Sequence, residues 1–166
     1  MLLEVTLTQM ILYNLGIHAF NGALHLAAMF KPKAKQWVEG RKKWRPQLEQ
    51  KVKALNLEGA IWLHAASLGE FEQGRPVIEK IKKDYPNQKI VLTFFSPSGF
   101  EIQKNYPLAD LVIYLPVDTA SNARKFLNIL KPKVAIFVKY EFWLNYLFQL
   151  ERKEIPAFLI STVIKK

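Results

Sequence analysis

From Ala60 to Ile160 the chain alternates short apolar runs with longer amphipathic ones, and few folds accommodate that pattern. The runs Ala60–His64, Lys89–Phe95, Leu111–Tyr114, Val134–Val138 and Ala157–Ile160 are rich in β-branched and aromatic residues. With successive residues apolar, such strands have no polar side to turn towards water, so they are buried on both faces. Helical runs separate them, at Gly69–Asp84, Pro97–Asn105, Thr119–Leu130 and Glu141–Arg152. Strands alternating with helices predict a doubly wound α/β layer around a parallel sheet. The 166 residues correspond to about one domain, which we divide into 1–30, a helix; 31–58, a basic linking segment; and 59–166, the sheet domain. Lys165-Lys166 closes the chain directly after a strand with no helix to cover it, so a partial protein is expected.

In an open α/β sheet ligands bind beyond the carboxyl ends of the strands. The first strand runs into His64, Ser67, Gly69 and Glu70, the last at the opening of a helix. The second delivers Ser96, Pro97, Ser98 and Gly99, whose hydroxyls and free amides suit a phosphate or a sugar. The third delivers Pro116, Asp118 and Thr119, of which Asp118 or Thr119 reads as a plain helix cap. The fourth delivers Lys139, Tyr140 and Glu141, followed by Phe142-Trp143. Two carboxylates, Glu70 and Glu141, thus share one rim with a lysine beside them, as titratable groups do in binding sites. The plain alternative for Glu70 is that an acidic residue complements the positive end of its helix. Neither a Gly-x-Gly-x-x-Gly nor a Walker loop occurs, so no nucleotide site is indicated here.

Net charge is +10, and nine basic residues fall in Lys31–Lys53 against Glu39 and Glu49. Such density implies an anionic surface, lipid or nucleic acid. The preceding segment Leu2–Phe30 is apolar apart from Glu4 and about as long as a bilayer span. It lacks a cleavage site of the signal-peptide kind. Asn14, His18, Asn21 and His25 recur at helical spacing and form a polar stripe, which predicts a helix lying in an interface or packed on protein. Trp37 and Trp44, interleaved with the lysines, fit the headgroup layer. The apolar neighbour favours membrane over nucleic acid. No cysteine is present, which excludes disulfides and thiolate metal sites, and no metal site is expected.

The motifs HAASLGEFEQGRPVI, LTFFSPSGFEI, YLPVDTASNARKFLNILKP and FVKYEFWLNYL, in this order, resemble the N-terminal half of the 3-deoxy-D-manno-octulosonic acid (Kdo) transferases of lipopolysaccharide synthesis, over about Trp62–Leu150. The resemblance implies a membrane-associated inverting glycosyltransferase with two Rossmann-like domains in the GT-B arrangement. The implied reaction moves Kdo from CMP-Kdo onto a lipid A precursor of the lipid IVA type. No cofactor is implied. By resemblance Glu70 matches the catalytic base and Glu141 a second acidic position assisting the transition state. This chain would be the acceptor-binding half, through Ser67, Gly69, Ser96, Ser98, Gly99 and Lys139, with Arg75 a further candidate for acceptor phosphates. CMP-Kdo would be held by a C-terminal domain outside the chain, leaving the chain alone inactive. The implied location is the cytoplasmic face of the inner membrane, on an anionic surface and without nucleic acid. The segment ISTVIKK departs from the family pattern. A reading of another class is a non-catalytic membrane-surface module binding anionic lipid or a protein partner.

Overall fold

A computed structural model describes residues 5–139 and 142–160. Three helices come first, α1 (Leu7–Ala27), α2 (Pro32–Glu39) and α3 (Trp44–Leu55). An alternating series follows: β1 (Ile61–Ala65), α4 (Leu68–Asp84), β2 (Ile90–Phe94), α5 (Pro97–Gln103), β3 (Leu111–Tyr114), α6 (Ala120–Leu130), β4 (Val134–Val138), α7 (Leu144–Arg152) and β5 (Ala157–Ile160). The five strands pair in the order β3-β2-β1-β4-β5, every pair parallel. This is the α/β, Rossmann-like sheet expected from the alternation, with β1 in the middle where the winding reverses.

Both faces of the sheet carry a core, because side chains alternate across each strand. Trp62 packs with Phe126, Phe137, Tyr146 and Leu150 beneath α3, α6 and α7. On the other face Leu63, Leu92, Phe94 and Ile136 pack with Phe71 and Ile78 of α4. Gly74 allows α4 this approach, since a Cβ there would lie 2.8 Å from Val138 Cγ2. At the β5 edge Phe158 remains 56% exposed.

The basic segment is part of the fold. Trp37, expected among lipid headgroups, is 4% exposed, and Trp44 packs on the core beneath α3. Arg41, counted with the surface charge, is 8% exposed. Its Nε donates to Leu115 O at 2.8 Å, Nη1 to Trp37 O at 3.1 Å and Nη2 to Phe95 O at 2.8 Å. The guanidinium carbon lies 3.9 Å from the Trp37 ring centroid and 4.9 Å from those of Phe95 and Tyr114. Burial lowers its pKa to about 9, with the Tyr114 and Tyr146 hydroxyls pulling it back up. A planar fork with three carbonyl acceptors and aromatic faces is a site that lysine does not fill. The other eight basic residues of the segment are exposed.

α1 is fixed at its start by a capping box between Thr6 and Gln9. None of its residues is fully buried; the half-buried face comprises Met10, Tyr13, Asn14, Ile17, Asn21, Leu24 and Ala27. The predicted polar stripe therefore divides, Asn14 and Asn21 facing the protein while His18 and His25 are exposed. Leu7, Ile11, Leu12, Leu15, Leu26, Met29 and Phe30 project outward, Leu7 and Phe30 at 78% exposure. Among the described residues no helix is long and apolar enough to cross a membrane.

Replacing Arg41 with lysine keeps the charge but forfeits the fork. Arg41→Lys is expected to lower unfolding stability by about 2–4 kcal/mol, because buried carbonyls lose their donors and an ammonium replaces a stacked plane. Denaturant titration checks this, and an unchanged midpoint would refute the bridging role of the guanidinium.

Candidate functional site

The crevice at the reversal point lies between the loop after β1 and the loop after β4. β1 runs through Ala65 and Ala66 to Ser67, the extended residue that caps α4. Ser67 and Glu70 form a capping box: the serine side chain accepts from the Glu70 amide, and Glu70 Oε2 accepts from Ser67 N at 3.1 Å. Glu70 is half-buried, so its carboxylate stands at the rim with one oxygen committed to the turn. That arrangement satisfies two orphan amides of the helix start, the role that the plain reading assigns. Gly69 is exposed, and a Cβ there would meet nothing within 4 Å.

Ser96 joins the second loop to the first by donating its amide to Ala66 O at 2.7 Å. Its hydroxyl caps α5 by accepting from Ser98 N at 3.3 Å, and lies 3.0 Å from Ser98 Oγ. Ser98 is exposed. Gly99 is buried instead; a Cβ there would lie 2.3 Å from Phe94 Cδ1 and 3.1 Å from Leu68 N. Its lack of a side chain is what lets α5 close against the turn that carries Ser67. The hydroxyls of Ser67 and Ser96 thus sit on loops tied to each other, with Gly69 and Glu70 continuing the first.

Lys139, half-buried, follows β4 directly, with its amide donating to Ile160 O at 2.8 Å. Its φ of 63° puts a non-glycine residue in the left-handed region. Such a conformation costs about 1–2 kcal/mol and marks a turn imposed by its surroundings. Glu141 lies outside the described residues. Beyond it, Trp143 Nε1 donates to His64 Nε2 at 3.1 Å, tying the β4 loop to the end of β1. His64 is buried and Nδ1 lies 2.9 Å from Thr93 Oγ1 and 3.1 Å from Thr93 O. Because Nε2 accepts from the indole, the imidazole proton belongs on Nδ1. Arg75 pairs with Glu72 of its own helix at 2.5 Å and lies over the Phe71 ring. Its charge is thus engaged one turn along from the rim.

Asp118 departs most from its local reading. Thr119, not Asp118, caps α6, accepting from Asn122 N at 3.2 Å. Asp118 is buried and caps α7 from outside it: Oδ2 accepts from Asn145 N and Oδ1 from Tyr146 N, both at 3.1 Å. The α7 N-cap residue Trp143 offers no side-chain acceptor of its own. Burial pushes the Asp118 carboxyl up to about 6, opposed by the hydrogen bonds from Tyr13, Asn145 and Tyr146. Sequence reasoning missed this cap, the His64–Trp143 link and the bridging by Arg41, since each joins segments far apart in the chain. A groove of about 470 Å³ lies elsewhere, lined by Ser121, Arg124, Asn128, Gln149, Arg152 and Lys153.

Comparison with known proteins gives one consistent family. Residues 35–166 match the family model described as 3-deoxy-D-manno-octulosonic-acid transferase. The chain is 34% identical over 97 residues to the 3-deoxy-D-manno-octulosonic acid transferase of Haemophilus influenzae, covering 58% of this chain and 23% of that protein. It is 32% identical over 111 residues to the protein of that name from Aquifex aeolicus, covering 66% and 30%. A probable mitochondrial 3-deoxy-D-manno-octulosonic acid transferase of Arabidopsis thaliana matches at 33% over 102 residues, covering 61% and 23%. The chain spans less than a third of the length of these relatives.

Two tests follow from the geometry. Gly69→Ala is expected to leave stability unchanged or raise it by up to about 1 kcal/mol, alanine being the better helix residue where space is open. A marked drop in Tm would refute the open rim at that position. Asp118→Ala strips the first turn of α7 and is expected to cost about 2–4 kcal/mol. The Asp118 carboxyl is raised above its ordinary value, so the native protein binds its proton before the unfolded chain does. The stability that the carboxyl contributes is full below about pH 4 and declines as pH rises through about 6. Parallel denaturation curves for the parent and Asp118→Ala should show that decline, and a parent advantage that grows with pH would refute it.

Proposed function

The chain belongs to the 3-deoxy-D-manno-octulosonic acid transferase family, and from that premise we propose that it is the acceptor-binding part of an enzyme that transfers Kdo from CMP-Kdo to a lipid A precursor of the lipid IVA type. The observation that carries the reading is the position of Glu70, at the mouth of the central strand beside β4, where the strand order reverses. A sugar hydroxyl is a weak nucleophile at neutral pH, and a carboxylate within hydrogen-bond reach makes it a competent one. In the proposed step the acceptor oxygen attacks the anomeric carbon of Kdo as the bond to the CMP phosphate oxygen breaks. The hydroxyl proton passes to Glu70 and CMP leaves. A single displacement inverts the anomeric configuration and needs no protein nucleophile and no cofactor. Glu141 would act electrostatically on the oxocarbenium-like centre.

The acceptor would rest against Ser67, the Gly69 backbone, and the Ser96 and Ser98 hydroxyls, with Lys139 towards its phosphates. Gly99 would contribute by letting α5 close on the first loop. We place CMP-Kdo on a domain outside these residues, so the chain by itself would not turn over. The apolar outer face of α1 and the eight exposed basic residues beside it would bind an anionic membrane surface, at the cytoplasmic face of the inner membrane. The division into anchor, basic segment and acceptor domain then becomes functional, although α2 and α3 are built onto the sheet.

Glu70→Gln in a complete enzyme carrying this chain separates base from cap, since glutamine at this helix position also completes a capping box. The expected result is a kcat lower by about 10²–10⁴-fold with acceptor KM and Tm near those of the parent. Near-normal kcat would reduce Glu70 to its capping role and remove the proposed mechanism.

A further inference from the structure

We propose that α1 is a positioning element of the strand-end crevice: Tyr13 and Asn14 hold the first turn of α7 and, through it, Trp143, which meets His64 at the end of β1. The reasoning begins with a helix that cannot cap itself. α7 starts after Trp143 without a Ser, Thr, Asp or Asn at its N-cap, so its first amides need acceptors from elsewhere. The Asn145 and Tyr146 amides go to Asp118. The Leu144 amide reaches Tyr13 Oη at 3.4 Å, and that hydroxyl donates its own proton to Asp118 Oδ2 at 2.5 Å. Tyr13 therefore closes a ring that neither Asp118 nor α7 completes alone.

Asn14 adds a second tie on the same face of α1. Its Nδ2 donates to Met10 O at 2.9 Å, which orients the amide and turns Oδ1 towards α7. Asn145 Nδ2 donates to that Oδ1 at 2.9 Å and to Asp118 O at 2.8 Å, spending both its hydrogens. Trp143, one residue before α7, carries the constraint on to His64 at the end of β1. Two sets of hydrogen bonds, joined by the chain between Trp143 and Asn145, thus connect α1 to the end of β1. The outer apolar face of α1, with Ile11 and Leu15, takes no part in them.

Hydrogen exchange in the 166-residue chain tests the latch, and turnover in a complete enzyme tests positioning; only the second rests on the Kdo-transfer reading. Tyr13→Phe combined with Asn14→Ala is expected to speed amide exchange at Leu144–Leu147 by about tenfold or more, leaving β1 and β2 protected. In a complete enzyme, assayed with detergent-dispersed acceptor so that membrane delivery plays no part, kcat should fall about 10- to 100-fold with KM near the parent's. Liposome binding should be retained. The control, Ile11→Ser with Leu15→Ser, should do the reverse, weakening liposome binding and sparing exchange at Leu144–Leu147. Unchanged exchange at Leu144–Leu147 overturns the latch, and faster exchange with parental kcat overturns positioning. A parent enzyme with no Kdo transfer sinks the functional reading instead, and the exchange result then decides the latch alone.

Discussion

The guanidinium of Arg41 is the interaction on which the upper edge of this sheet depends. Carbonyl groups at the carboxyl ends of β2 and β3 have no further strand to pair with, and buried ones are costly when unmatched. Arg41 reaches both Phe95 O and Leu115 O and adds Trp37 O from α2. One residue therefore fixes two strand ends and the helix that crosses them. The cation is matched by carbonyl dipoles and ring faces, with no carboxylate among its hydrogen-bond partners in the described residues. At about 9 its pKa stays above neutral, so the charge persists despite burial. The Phe95–Ser96 segment held in this way also anchors Ala66 and the turn carrying Ser67 and Glu70.

Asp118 is the complementary case at the same end of the sheet. Its carboxylate is buried against amides of α7 and the hydroxyl of Tyr13, so helix-end dipoles take the place of a cation. Buried charges satisfied by backbone are directional, because each bond specifies an orientation that apolar packing would leave looser. Rigidity around the crevice is thereby built from polar contacts, while the two apolar cores hold the layers together. The sugar-transfer site proposed for this crevice would need that division, with the reacting groups held at hydrogen-bond accuracy while the mouth of the sheet stays open.

The sheet was legible in sequence because parallel strands buried on both faces leave a signal that little else produces. β3, β4 and β5 begin and end where the apolar runs do, and β1 and β2 differ by a residue at their ends. Within the basic segment Trp37 and Arg41 were misread for a physical reason. Tryptophan beside lysine and arginine suits a headgroup layer, and the same composition suits a buried cation between rings, as Arg41, Trp37 and Phe95 show. Composition cannot distinguish the two; only the contact with Leu115 and Phe95, more than fifty residues away, does. The rim was legible at Ser67 and Glu70, where a capping box is a local pattern. It was illegible at Asp118, where a local rule pointed to α6 and the residue instead serves a helix more than twenty residues further on.

The packing of α1 follows from the same balance of local and distant forces. With no residue fully buried, the helix gains little from apolar area, and its polar ties contribute about 0.5–1.5 kcal/mol each. Docking thus rests on the polar ties of Tyr13 and Asn14 beside the crevice, together with the Phe20 ring against Trp37 and Phe95 further along the helix. The apolar residues on the other side are exposed in the docked state, so covering them with lipid would require no rearrangement of the docked face. Ile11 and Leu15 lie within two residues of Tyr13, yet the helical twist turns them to the opposite side. A surface that takes the outer face of α1 stabilises the docked state, and with it the cap on α7, only by as much as it binds that state more tightly than the undocked one. An anchor of that kind would act on the site through that difference alone, because the residues that seat α1 are those that complete the α7 cap.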